Sequence, residues 1–182
     1  MRLFVSVGVE PLSDRIETVQ EPLTGLEGLR PTDPGQAHVT VKFLGECDHD
    51  NGALEGAIGR AVAEAGVGSF EATLEGVGAF PSPEYIRVVW LGFGDGTEQL
   101  SELHRRVEAE TTALGYDEER HAFTPHVTLA RMDNAASKAD IQRFLRERDP
   151  TAGTVEIEEI RLTESELTPE SPDYRTVERF EL

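Results

Sequence analysis

His38-Val39-Thr40-Val41 and His126-Val127-Thr128-Leu129 are two copies of one short pattern, 88 residues apart in a chain of 182. Each copy lies in a stretch that alternates like a strand, 37–44 and 123–130. In a strand, residues i and i+2 share a face. His38 and Thr40 therefore project one way while Val39 and Val41 project into a core, and His126 and Thr128 stand likewise against Val127 and Leu129. A repeat at half the chain length suggests two similar lobes packed about an approximate twofold axis. Their polar faces then line one cleft holding two imidazoles and two hydroxyls.

The chain around the repeat is mixed. Strand patterns cover 3–9, 69–78 and 85–93, with Phe80-Pro81-Ser82-Pro83 read as a turn or loop. One late strand is marked by Val155, Ile157, Ile160 and Leu162, with an irregularity near Glu158-Glu159. A polar loop over 163–173 precedes a last strand through Tyr174, Thr176, Glu178 and Phe180. Helical spacing joins Leu12, Ile16, Val19 and Leu23 after Pro11, and Leu54, Ala57, Ile58 and Ala61 before Gly66. It recurs in Leu100, Leu103, Val107 and Thr111, with Thr97 as cap and Gly115 as stop. Ser137-x-x-Asp140 reads as the cap of a helix that buries Ile141, Phe144 and Leu145. The strands are grouped rather than strictly alternating with helices. That favours an α+β fold with largely antiparallel sheets over a doubly wound one. No glycine-rich phosphate loop is present, and residues 1–182 read as one bilobal domain.

Composition narrows the class. Hydrophobic residues make up 38% and include 8 Phe, enough for a sizeable core. No apolar run approaches the roughly 18 to 20 residues that span a bilayer, and the opening Met1–Val7 is too short for a signal peptide. A single cysteine, Cys47, excludes an intrachain disulfide and any multi-cysteine metal centre. These features suit a cytoplasmic, monomeric protein away from membranes. The charge is unusual: 35 acidic against 17 basic residues give −18, and only Lys42 and Lys138 are lysines. Dispersed acid repels itself at low salt. In molar salt, where the Debye length is about 3 Å, that repulsion largely vanishes. The composition therefore reads as adaptation to a salty interior rather than as a statement about the ligand.

Two histidines, whose ordinary pKa lies near neutrality, can divide the work of general base and general acid. Threonine hydroxyls can donate to an anionic oxygen. Displacement at phosphorus needs this set: a base for attacking water, an acid for the leaving oxygen, and donors for the non-bridging oxygens. No metal or other cofactor is required. Metal-ligand spacing is absent around the motifs. Asp48-His49-Asp50 reads as a solvated turn, His104 as a surface residue, and His121 as a loop residue near the second motif.

The extended motifs resemble the 2H phosphoesterase superfamily and, within it, the RNA 2′,3′-cyclic phosphodiesterases, also described as 2′–5′ RNA ligases. The likeness runs from Met-Arg-Leu-Phe-Val at the start, through His38–Gly45, Gly78–Pro81 and Arg87–Leu91, to Thr124–Arg131 and the Glu164-Ser165 and Tyr174 segment. It implies a bilobal fold with two antiparallel sheets related by a pseudo-twofold axis, helices outside and a central cleft. It implies hydrolysis of RNA or nucleotide 2′,3′-cyclic phosphate ends to 2′-phosphates. In that scheme His38 is proton donor, His126 proton acceptor, and Thr40 and Thr128 hold the phosphate. The two motifs are nearly symmetric, so the sequence alone leaves the order of acid and base open. Arg131 is expected to help hold phosphate, and Lys42, Phe43 and Tyr174 to line the cleft or contact a base. The alternatives are 2′–5′ ligation of tRNA halves at the same site and a non-catalytic RNA-end binding module. Retention of both histidines and both threonines argues against the latter. Acidic residues near the first motif (Glu10, Glu46, Asp48 and Asp50) favour gripping a terminal phosphate over binding extended RNA.

Overall fold

The computed structural model describes residues 1–47, 52–169 and 171–182; Asp48-His49-Asp50 lies outside them. The strands are β1 (Arg2–Gly8), β2 (Leu29–Pro31), β3 (His38–Glu46), β4 (Phe70–Ser82), β5 (Tyr85–Phe93), β6 (Val127–Met132), β7 (Thr151–Ile157), β8 (Glu159–Leu167) and β9 (Pro172–Glu181). The helices are α1 (Ser13–Gln20), α2 (Gly52–Ala65), α3 (Thr97–Ala113) and α4 (Lys138–Glu147). All strand pairings are antiparallel, in the order β7-β4-β5-β6-β3-β1-β8-β9, with β2 pairing to β6. The class is α+β, as the grouping of strands predicts.

The two expected sheets are the two halves of this order. They are joined through one described residue pair, Val39↔Val127. The pair belongs to the repeat itself, so the approximate twofold passes close to it. Extending the antiparallel register by one residue sets His38 opposite Thr128 and Thr40 opposite His126. Helices α2 and α3 pack together over the β3-β1-β8-β9 half, while α1 contacts β6 and β7 and α4 contacts β4. Each helix is held by one apolar stripe: Leu54, Ala57, Ile58 and Ala61 on α2, and Leu100, Leu103, Val107 and Thr111 on α3. The helices cover one face of the sheet, and the opposite face lines the cleft.

Several local readings change. The single late strand is two, β7 and β8, separated only by Glu158 and lying in opposite halves. Two residue steps span at most about 7 Å, so the sheet curls until its first and seventh strands nearly meet. The polar loop at 163–173 is largely a hairpin of β8 and β9, whose side chains alternate too weakly to read as strand. Phe80-Pro81-Ser82 extends β4 instead of forming a turn. Ser137 makes no side-chain cap bond, and Thr97 Oγ1 donates to the Gly94 carbonyl from inside the helix, Gly96 being the cap. The strand expected from residue 123 begins at Val127, after Pro125 and with His126 immediately before it.

Candidate active site

Both halves of the repeat break their alternation in the same way. In β3, Ser6 pairs with Thr40 and Val5 with Lys42, so Val41 is an extra residue. In β6, Trp90 pairs with Thr128 and Val89 with Ala130, so Leu129 is extra. A bulge shifts every later side chain to the other face. The burial patterns of 39–43 and 127–131 are consequently identical: buried, half-buried, buried, buried, exposed. Strict alternation would place Lys42 beside His38 and Thr40. The bulge instead turns Lys42 to the helix face and returns Phe43 to the cleft, where it pairs with Phe4 and stands 64% exposed. Arg131 is its counterpart in the other half.

Lys42 is thus not a cleft cation. It is fully buried, with Nζ donating to Glu108 Oε2 and to the Asp117 carbonyl, both at 2.6 Å. Burial alone would raise the Glu108 carboxyl. The hydrogen bonds from Lys42 and the Glu119 amide, with the charges of Lys42 and His104, hold it below the ordinary carboxylate range. His104 is half-buried rather than at the surface. It stacks on Phe123 at 4.2 Å, with Nδ1 2.7 Å from the Val41 carbonyl. His104, Glu108 and Glu119 bring one ligand atom each within 4.8 Å of one another, the arrangement among the described residues that could hold a cation. It lies on the helix side of β3, and both Glu108 oxygens are already bonded, to Lys42 and to the Glu119 amide. His121 is exposed.

The cleft face carries the two histidines in matching surroundings. His38 Nδ1 lies 2.9 Å from the Gln36 carbonyl and His126 Nδ1 lies 2.7 Å from the Thr124 carbonyl, each two residues upstream. A carbonyl only accepts, so Nδ1 carries the proton in both rings and Nε2 is left to the cleft. Phe4 and Tyr174 pack on His38 with ring centroids at 5.1 and 4.9 Å. Phe80 and Trp90 do so on His126 at 4.8 and 6.2 Å. Gly78 makes room for the Trp90 indole, into which an added Cβ would run. The Tyr174 amide donates to Gln36 Oε1 at 3.1 Å, tying β9 to the residue that orients His38. Phe4, Phe80, Trp90 and the two carbonyls are site features that the motif reading missed. The only sequence signal for the carbonyls is their common place two residues before each histidine.

Burial pushes the His38 imidazole below its ordinary value; the Gln36 carbonyl opposes this, Arg131 and His126 add to it, and Glu10 opposes it. Burial lowers His126 as well, against the Thr124 carbonyl and together with Arg131. Arg131 therefore acts on both rings. Among the described residues Arg131 has no carboxylate partner, although acids outnumber bases two to one. The Thr40 and Thr128 hydroxyls make no hydrogen bond among the described residues either, so both are available as donors. A surface depression bounded by Met1, Arg2, Glu46, Glu164–Leu167 and Arg175 lies elsewhere and contains none of these groups.

A family model of the 2′-5′ RNA ligase superfamily matches residues 9–168. The chain belongs to this superfamily. A protein of Aeropyrum pernix named RNA 2′,3′-cyclic phosphodiesterase is 39% identical over 141 residues, 77% of this chain and 78% of its own length. One of the same name from Methanothermobacter thermautotrophicus is 33% identical over 100% of this chain and 99% of its own. Among solved structures, a Thermus thermophilus protein superposes with a TM-score of 0.79 at 28% identity, covering 100% of this chain and 98% of its own. Escherichia coli LigT complexed with 3′-AMP shares the fold, with a TM-score of 0.78 at 23% identity over 100% of this chain and 97% of its own. Among the described residues no helix is long and apolar enough to cross a membrane.

Proposed function

We propose that this superfamily member hydrolyses RNA or nucleotide 2′,3′-cyclic phosphate ends to 2′-phosphates, with His38 and His126 as an acid–base pair. The observation that carries the reading is the matched presentation of two imidazoles, each with Nδ1 bonded to the carbonyl two residues upstream and Nε2 left free of those bonds. Each ring is held by a carbonyl on Nδ1, and burial favours its neutral form. The relatives named RNA 2′,3′-cyclic phosphodiesterase support the same class of reaction.

His126 accepts a proton from water as its oxygen bonds to phosphorus. The P–O3′ bond breaks, and His38 donates a proton to the leaving 3′ oxygen. The Thr40 and Thr128 hydroxyls and the Arg131 guanidinium meet the charge on the non-bridging oxygens. Phe43, exposed at the cleft, offers a face on which a base can stack. Tyr174 supports His38 from the side. Joining of RNA ends through a 2′–5′ linkage is the same displacement with a 5′-hydroxyl in place of water; it uses the same groups and is separated only by product analysis. The −18 charge, with one of the two lysines buried, supports a surface adapted to high salt.

The test is turnover of a 2′,3′-cyclic mononucleotide, with the product identified by phosphorus NMR and the reaction repeated after exhaustive chelation. Release of a 2′-phosphate at an unchanged rate is expected. A 3′-phosphate product, or activity restored only by a divalent ion, would replace this mechanism.

A further inference from the structure

The repeat makes His38 and His126 near-equivalent, yet acid–base catalysis needs them to differ. Their strand partners do differ. Gly8 pairs with His38 across β1 and β3, on the cleft face with Phe4 and Ser6. A Cβ added to Gly8 would collide with the Glu10 carboxylate and the Arg161 guanidinium, so that ion pair covers the Gly8 α-carbon beside His38. Arg161 also donates to Glu159 at 2.7 Å, and Glu159 accepts from Arg179 too, which pins Arg161 from behind. In the other half the register runs on from Leu91↔Val127 to set Gly92 opposite His126. There the atoms nearest an added Cβ belong to the Trp90 ring, at 3.0 Å, and the Glu75 carbonyl, at 3.2 Å. One histidine has a held carboxylate for a neighbour and the other has an indole.

We propose that Glu10, held over Gly8 by Arg161, is the positioning residue that makes the two histidines unequal, keeping His38 as the ring that carries the proton to the leaving oxygen. The proposal rests on the two-histidine reading above. The groups acting on His38 are Arg131 and His126, which disfavour its charged form, Glu10 and the Gln36 carbonyl, which favour it, and the Phe4 and Tyr174 rings packed on it. Glu10 is the acid in that set. His126 has no acid in its own: burial and Arg131 act against its charged form, and the Thr124 carbonyl alone favours it. Arg161 keeps Glu10 in place and is itself balanced by Glu159, so removing the Glu10 charge leaves Arg131 and His126 as the charged groups acting on His38, both against its charged form. Opposite charges a few ångströms apart commonly move a pKa by about one unit or more, and less when the acid is already paired.

The experiment titrates both imidazoles by NMR in Glu10→Gln and records the pH–rate profile on a 2′,3′-cyclic mononucleotide, at one fixed salt concentration. His38 should titrate lower by about half a unit, with His126 unmoved. The alkaline limb of the profile, set by the group that must be protonated, should fall by the same amount, with the acid limb and KM unchanged. Gly8→Ala is the second variant. The atoms nearest its methyl are the ends of two flexible side chains, so it should fold, push the pair off the Gly8 α-carbon and reproduce the same shift with every charge retained. An unmoved His38 in both variants overturns the coupling. Movement of the acid limb instead makes His38 the base and overturns the assignment. Failure of the two-histidine reading shows separately, as activity retained by His38→Ala whatever the titrations give.

Discussion

Phe43 and Arg131 occupy equivalent places in the two halves, each brought to the cleft face by one extra residue, Val41 and Leu129. One half thus presents an exposed ring and the other a guanidinium without a carboxylate partner among the described residues. The division suits a nucleotide end, which has one flat apolar group and one anionic group.

Phe43→Ala is therefore expected to raise KM for cyclic nucleotides about tenfold, consistent with about 1–3 kcal/mol per stacked base, while leaving kcat nearly intact. Arg131→Ala should lower kcat/KM by about 10² or more for every substrate, because it touches the group common to all of them. Steady-state kinetics with purine and pyrimidine substrates separate the two. Equal effects of both changes on kcat would contradict this division.

Replacing either His38 or His126 by Ala should lower turnover by roughly 10² to 10⁴. Thr40→Ala and Thr128→Ala should cost about 10² each, one donor apiece. Near-normal rates from either histidine variant, with a native circular dichroism spectrum, would remove the paired mechanism.

Lys42 belongs to the core and not to the cleft. Lys42→Met leaves Glu108 and the Asp117 carbonyl without their buried donor, and should destabilise the protein by about 2–4 kcal/mol. Lys42→Met with Glu108→Leu should recover most of that loss. Urea titration measures both, and the folded single variant should keep its KM for a cyclic nucleotide. A large rise in KM without loss of stability would return Lys42 to the substrate.

Both imidazoles are held below the ordinary value of 6.5. Their contribution to stability is complete above that value and is lost as the pH falls through the lowered ones, where the unfolded chain binds more protons than the folded one. An anion between the rings reverses the bias, so sulfate, which does not titrate in this range, should bind more tightly at about pH 6 than at about pH 8 and take up protons as it binds. Calorimetry in two buffers of different ionisation heat counts those protons. Zero uptake at about pH 6 would place the anion outside the histidine pair.

The acidic surface should make stability rise from low to molar KCl, where charges more than about 3 Å apart are screened. A site that grips one terminal phosphate loses little affinity to salt, whereas many phosphate contacts lose much. Turnover of a cyclic mononucleotide should accordingly persist in molar KCl, with chain length adding little. Thermal melts and rates at both salt levels decide it; a fully stable enzyme at low salt whose activity collapses in KCl would refute both statements.

Much of this architecture is legible in the chain because its signals are local and periodic. The helical stripes of α2 and α3, the strand of β1 and the doubled His-x-Thr pattern each depend on residues a few places apart; α2, α3, β1 and β3 form where their patterns lie, while β6 starts late, at Val127. The end of the β8–β9 hairpin, within 163–173, was hidden because it is polar on much of its surface, so a period of two carries little contrast there. The division of 151–167 into two strands was hidden because Ile157 and Ile160 continue an apolar pattern across Glu158, while the change of sheet partner depends on strands far away.

By itself the sequence determined the class of fold, the histidine–threonine pairs and the acidic surface, since these follow from residue types at fixed spacings. Tertiary structure alone decided which neighbours share the cleft. Strand pairing with β1 and β5 creates the bulges at Val41 and Leu129, and no side-chain pattern within β3 or β6 demands them. One inserted residue in each strand sends Lys42 to Glu108 and turns Phe43 and Arg131 to the cleft. The Glu10–Arg161 pair likewise lies over Gly8, the strand partner of His38, because Gly8 lacks a side chain and Arg161 comes from a strand 151 residues from Glu10.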